Sequence, residues 1–367
     1  MLGSGKAACL ALVLLLFVLT VYLAVPSGSI LPFPSLVSPP PHDFPNPFHV
    51  TLRPTSTATA AASVETEDGI PNFYGDYTST YNCGNKYSQP GSHPRFMVLG
   101  VHKGGSTALY NYLTRHGHIR PAVCKEIHFF DVDEEYQKGR PYYLKHFIDV
   151  SEHNGKVITG EGSPNYIRHP KVPHRLFTML PDTTTSKMRF LVSLREPSTR
   201  FESHWVGAKG QGKFRYGCER TWNASLLELQ TCYAKRSQAD CELDLFENPI
   251  VRGIYVSQLE RWLAYFPPEQ FLILQAEHMF RDRNRTMQRA AKFLHMRAYN
   301  DLELASLSLA SEGSSHMSTP MVLRCSPELK IRMDQFYETH NARLKALLQA
   351  KFPQDLEVWE PIWQGWT

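Results

Sequence analysis

RFMVLGVHKGGSTALYNYL, residues 95–113, carries the strongest structural signal in the chain. Phe96–Gly100 is a short, uninterrupted apolar run, the pattern of a strand buried on both faces. A glycine-containing turn follows, and an amphipathic helix opens at Ser106 or Thr107 and runs to His116. Such a turn is expected to leave the backbone N–H groups of Gly104 to Thr107 unpaired and pointing outward. The helix start adds partial positive charge, Lys103 adds a full one, and Gly104 and Gly105 permit close backbone approach. An anion is therefore the expected occupant. The lysine precedes the glycines, the reverse of the order in ATP-binding loops.

The same strand-then-helix pattern recurs outward from this stretch. Apolar runs at Val157–Gly160, Arg189–Leu194 and Phe271–Gln275 read as further buried strands. Helical periodicity appears at Val172–Leu180, Pro197–Ala208, Val251–Tyr265, Thr286–Leu294 and Pro327–Ala350. This alternation predicts an α/β fold, a P-loop-like, mostly parallel sheet flanked by helices. The strand at Arg189–Leu194 delivers Arg195 to its end, and Ser203 lies on the helix that follows Pro197. An arginine and a hydroxyl so placed grip a second phosphate.

The chain has 367 residues, 42% hydrophobic and 20% charged, which excludes a wholly disordered protein. A net charge of +4 gives no case for a nucleic-acid binder. Residues 7–25 contain no charge, Gly or Pro and would span roughly 28 Å as a helix, a bilayer core. Lys6 on the short side and Arg53 as the next basic residue predict a cytosolic tail (1–6) and an uncleaved signal-anchor (7–25), with cleavage as the rival reading. Ten prolines between positions 26 and 71 predict an extended lumenal stem over 26–85, leaving 86–367 as one enzyme-sized domain. Six lumenal cysteines permit three disulfides, with Cys218, Cys232 and Cys241 expected to staple a local loop. Asn223 and Asn284 head glycosylation sequons.

With both anion-binding segments in place, about 90 residues apart and each following a strand, the sequence resembles the Golgi carbohydrate sulfotransferases. These use 3′-phosphoadenosine 5′-phosphosulfate (PAPS) and act on glycosaminoglycans of heparan sulfate or chondroitin type. The resemblance covers roughly Arg95 to the C-terminus. It implies that Lys103, Gly104, Gly105, Ser106 and Thr107 hold the 5′-phosphosulfate, and that the segment with Arg195, Pro197, Arg200 and Ser203 holds the 3′-phosphate. It also points to KEIHFFDVD (residues 125–133), where Glu126, His128 and Asp131 match the E-x-H-x-x-D pattern of heparan sulfate 3-O-sulfotransferases. In extended chain Glu126 and His128 would share a face. Sulfuryl transfer needs a base to take the proton of a sugar hydroxyl. Glu126 is the expected base, His128 supporting it or polarising the sulfate, Lys103 neutralising the leaving phosphate and Asp131 toward the acceptor. The alternative is that Glu126 only pairs with Lys125 or another cation and His128 is a core residue.

The match loosens in two places. In GEGSPNYI (residues 160–167) Gly162 stands where the 3-O-sulfotransferase branch has lysine. The loop at 314–325 lacks that family's Lys-Gly-Arg run, with Arg324 as the nearest substitute. Lys209, Lys213, Arg215 and Arg220 form a basic stretch suited to an anionic polysaccharide, or equally to a solvated loop tethered by Cys218. Trp359, Trp363 and Trp366 read as packing residues rather than sugar platforms. Two other classes compete. A metal-dependent lumenal glycosyltransferase would use Asp131-Val132-Asp133, and a non-catalytic glycan-binding protein would keep only the fold. The sulfotransferase reading expects no metal, a glycan acceptor, membrane attachment through 7–25 and no nucleic acid.

Overall fold

The computed structural model describes residues 64–65, 71–72, 83, 86–213, 216–312, 325–359 and 363. The signal-anchor, nearly all of the stem, Arg215, Arg324 and Trp366 lie outside the described residues, among which no helix is long and apolar enough to cross a membrane. Within the predicted stem, Val64–Glu65 pairs antiparallel with Pro71–Asn72.

Five strands form one sheet: β1 (Phe96–Gly100), β2 (Ile119–Pro121), β3 (Ile158–Gly162), β4 (Arg189–Leu194) and β5 (Phe271–Gln275). Their spatial order is β2-β3-β1-β4-β5 and every pairing is parallel. Four of these were read from the sequence. β2 was not, because three residues that include a buried arginine, Arg120, make no apolar run. Alternate residues of β1 enter different cores. Met97 and Leu99 join one and Phe96 and Val98 the other, as the period of two requires.

Helices cover both faces. On one side α1 (Ser106–Leu113) packs against α7 (Arg283–Phe293) and α8 (Asp301–Glu312). On the other lie α2 (Val172–Met179), α3 (Pro197–Gly210), α6 (Tyr255–Leu263) and α9 (Pro327–Lys351), which bury Leu176, Phe201, Trp262 and Tyr337 in the larger core. Two helices, α4 (Cys218–Tyr233) and α5 (Gln238–Asp244), occupy sequence that carried no clear periodic signal.

The disulfides correct one expectation. Cys232–Cys241 is the local staple, but Cys218 pairs with Cys325 across 107 residues, and Cys83 pairs with Cys124. Cys218 and Cys232 sit at opposite ends of α4, about 21 Å apart at 1.5 Å per residue, far beyond disulfide reach. Trp359 and Trp363 pack against each other, ring centroids 5.3 Å apart, at the edge of the core. Both sequon asparagines are exposed, on α4 and α7.

The chain leaves β1 toward β2 on one side of the sheet and leaves β4 toward β5 on the other. In open parallel sheets the crevice beyond the carboxyl ends, at such a reversal, is where ligands bind. The loops after β1 and β4 are the two segments singled out above.

Candidate active site

Three contacts stitch these loops together. Val101 N–H donates to the Ser193 carbonyl (2.9 Å), Ser193 Oγ donates to the Gly104 carbonyl (2.6 Å), and Arg195 Nη1 donates to the Lys103 carbonyl (3.3 Å). One sequence expectation changes here. The Gly104 N–H is not free for an anion but donates to the Val101 carbonyl at 2.9 Å, closing the turn.

The two helix starts differ in a way that decides where an anion fits. At α3 the Glu196 side chain accepts from the N–H groups of Ser198 and Thr199, so that end is already capped by a carboxylate. At α1 the capping residue is Gly105, at φ +82°, with no side-chain cap and no acidic residue in the first turn. A left-handed conformation there suits glycine, and the start of α1 stays open to an outside anion. Ser106 is buried and Thr107 half-buried beside it. The residues present thus fit a phosphate-bearing ligand.

Lys103 lies in the same turn and reaches α3, where a Cβ added to Gly207 would come within 3.0 Å of its Nζ. Burial and the nearby Arg195 lower its pKa, while Glu126 acts in the opposite sense. The lysine is therefore within electrostatic range of both the phosphate-side arginine and the proposed base. Arg195 is half-buried, its carbonyl accepting from the Tyr255 hydroxyl at 2.7 Å. Ser203 is half-buried on α3, next to Glu202, which accepts the Cys325 N–H. Arg200 of the same segment is fully buried and donates to the Pro249 carbonyl, so it packs α3 against the core.

Glu126, His128 and Asp131 form a chain of alternating charge. His128 Nδ1 is 2.8 Å from Asp131 Oδ2, and its Nε2 is 3.6 Å from Glu126 Oε2. Burial by itself would neutralise all three groups, but their mutual attraction reverses it. His128 is carried up to about 10 by Asp131 and Glu126, and Glu126 is brought down to about 2 by His128 and Lys125. Asp131 is likewise held low against its burial. At neutral pH the glutamate is a carboxylate and the histidine an imidazolium, so of the two only Glu126 is free to accept a proton.

Glu126 and His128 are not in extended chain, as supposed, but have φ of +65° and +55°. Among the described residues five non-glycine residues have positive φ, and three of them are Lys103, Glu126 and His128. Such conformations cost energy unless the surroundings hold them, and they gather at functional sites. Lys125, the neighbour of Glu126 in the chain, joins this group. It is buried and its ammonium bonds Glu126 directly.

The remaining predicted cations lie at the end of α3 and after it. Lys209 is half-buried at the end of α3 and Lys213 is exposed beyond it, while Arg220 on α4 stacks over Tyr216, 3.9 Å from its ring centroid. Asp131 and Asp133 do not converge on a metal. Asp131 faces His128, and Asp133 is held by Arg175 and Lys171. Cationic partners of this kind remove the motivation for a D-x-D metal centre.

The chain has relatives among known proteins. It is 33% identical over 210 residues to heparan sulfate glucosamine 3-O-sulfotransferase 5 of Mus musculus, covering 55% of this chain and 54% of that one. It is 28% identical over 285 residues to bifunctional heparan sulfate N-deacetylase/N-sulfotransferase 3 of Homo sapiens, covering 72% of this chain and 31% of that one. The chain thus spans about half the length of the first relative and about a third of the second. Among solved structures, a sulfotransferase from Alicyclobacillus acidocaldarius aligns with a TM-score of 0.48 at 20% identity, over 70% of this chain and 96% of that one. The family model of the sulfotransferase domain matches residues 93–313, more than half the chain and all of the site built above, and the protein belongs to that family.

Proposed function

We propose that this chain transfers a sulfuryl group from PAPS to a hydroxyl of an anionic glycan, a glycosaminoglycan of heparan sulfate type, in the Golgi lumen. The observation that carries the reading is the joining of the two loops at Lys103, whose carbonyl accepts from Arg195 Nη1 at 3.3 Å and whose ammonium is influenced by Glu126. The heparan sulfate enzymes among its relatives support the acceptor class.

PAPS, when bound, supplies a sulfuryl group on a phosphate leaving group. Arg195 and Ser203 hold its 3′-phosphate, while the Gly105–Thr107 start of α1 receives the 5′ end. Glu126 takes the proton of the acceptor hydroxyl as that oxygen bonds to sulfur. Lys103 would neutralise the charge left on the phosphate as the sulfuryl group departs from it. His128, kept protonated by Asp131, orients Glu126 and adds positive charge beside the transferring group. The basic stretch with Lys209, Lys213 and Arg215 attracts the polyanion, residues 7–25 anchor the chain and 26–85 tether it.

Transfer of radiolabelled sulfate from PAPS to heparan sulfate, chondroitin and algal-type polysaccharides, followed by disaccharide analysis, tests this. Label in a glycosaminoglycan disaccharide, undiminished by a chelator, is the expected result. PAP binding with no label in any glycan would overturn it in favour of a non-catalytic binder.

A further inference from the structure

The catalytic turn is sewn to the end of β3. Glu126 N–H donates to the Gly162 carbonyl (3.0 Å) and His128 N–H to Ser163 Oγ (3.4 Å). The N–H groups of Phe129 and Phe130 both donate to the Tyr166 hydroxyl, at 3.0 and 3.3 Å. Two hydroxyls therefore act as acceptors for three consecutive backbone donors.

A hydroxyl has one proton, and it accepts well only if that proton is directed elsewhere. Here it is. Ser163 Oγ donates to Glu161 Oε2 (2.7 Å), and the Tyr166 hydroxyl donates to Glu161 Oε1 (3.4 Å). The Tyr143 hydroxyl donates to the same Oε1 at 2.7 Å. Glu161 is fully buried, at 0% exposure, and its carboxylate accepts from Tyr143, Ser163 and Tyr166. Burial raises the Glu161 pKa to about 7 against the hydrogen bonds from Tyr143 and Ser163, so the carboxylate prevails above that pH. Once ionised it only accepts hydrogen bonds and fixes the direction of all three hydroxyls at once.

We propose that Glu161 is a positioning residue: its carboxylate orients Ser163 and Tyr166 so that their lone pairs hold the backbone of residues 128–130, keeping Glu126 and His128 in their left-handed conformations. A glutamine has nearly the same shape but presents an NH2 donor at one of the two oxygen positions. Whichever hydroxyl meets that donor must turn its own proton away, into the N–H it is supposed to receive. The turn then loses a tether while the core stays filled. The catalytic part of this proposal rests on the sulfuryl-transfer reading, and its structural part does not.

The test uses the full chain as wild type, Glu161→Gln, Ser163→Ala and Tyr166→Phe, with three readouts: steady-state transfer, PAP affinity, and amide hydrogen exchange of the 126–131 segment. For Glu161→Gln we expect kcat to fall about 10–100-fold, as small misplacements of catalytic groups do. PAP affinity should stay within about twofold, and exchange at 128–130 should rise about tenfold or more. Ser163→Ala should loosen residue 128, and Tyr166→Phe residues 129 and 130, each with PAP affinity retained. Unchanged exchange in Glu161→Gln, or equal losses of PAP affinity and kcat, would overturn the proposal. If Glu161→Gln does not fold, the two hydroxyl variants decide it, and native exchange in both would sink it. A wild type that sulfates no acceptor refutes the transfer reading alone, since the exchange readouts still judge Glu161.

Discussion

His128 Nδ1 lies 2.8 Å from Asp131 Oδ2, and this contact sets the charge at the centre of the site. Burial would lower the histidine, yet Asp131 and Glu126 carry it to about 10. Asp131→Asn keeps the shape and removes one of those charges. Its kcat is expected to drop about 10–100-fold, and a new inflection should enter the kcat profile between pH 6 and 8 as His128 begins to titrate, near about 6.5. A pH profile identical to wild type would show that Asp131 does not control the imidazole.

Glu126→Gln removes a carboxylate whose charge acts on Lys103. Turnover is expected to fall about 10²–10⁴-fold, the usual worth of a general base. PAP affinity, measured by calorimetry, should remain nearly that of wild type because no phosphate contact is assigned to Glu126. A variant that still turns over at a tenth of the wild-type rate or better would remove Glu126 from its role.

Gly207→Ala separates stability from function. In the last turn of α3 an alanine gains at most about 1 kcal/mol in helix propensity over glycine. Its Cβ, however, would lie 3.0 Å from Lys103 Nζ and 3.2 Å from Cε, so the lysine end has to shift. A higher melting temperature together with about a 10-fold loss in kcat/KM for PAPS is expected. An alanine variant with unimpaired kinetics would mean that Lys103 works from a different position.

The charge chain also predicts a slope of stability with pH. The folded pKa of His128, about 10, lies above its ordinary 6.5, so its stabilisation is complete below 6.5 and is lost as pH rises through 10. Glu126 contributes in the opposite range. Its folded value of about 2 lies below the ordinary 4.5, so its contribution is present above 4.5 and lost as pH falls through 2. Between pH 7 and 9.5 the unfolding free energy should therefore decline, by at most about 1.4 kcal/mol per unit for one proton. His128→Asn should flatten that decline in urea titrations. An equally steep slope in the variant would place the titration elsewhere.

Local sequence was enough for much of the architecture. Strands buried on both faces read as continuous apolar runs, so β1, β3, β4 and β5 could be located from composition alone. The turn at Lys103–Gly105 was legible for the same local reason, a strand, two glycines and a helix start within a dozen residues. Proximity in sequence also brought Glu126, His128 and Asp131 forward as a group. Arg120 hid β2, and the Asp282 side chain, which accepts the Arg285 N–H, starts α7 at Arg283, three residues before the periodic pattern begins.

Whether that group formed a site was decided by contacts between distant segments. A glutamate or histidine does not choose a left-handed backbone by itself, because its Cβ disfavours it. Glu126 and His128 adopt it where N–H groups of their turn meet Gly162, Ser163 and Tyr166, some 35 residues further on and delivered by β3. The same holds for Cys218–Cys325 and for the reach of Lys103 to α3. Residue types and spacing named the chemistry, since charge and hydrogen-bonding capacity belong to the side chains. The order of the strands decided the geometry, since only a folded sheet sets β1, β3 and β4 side by side.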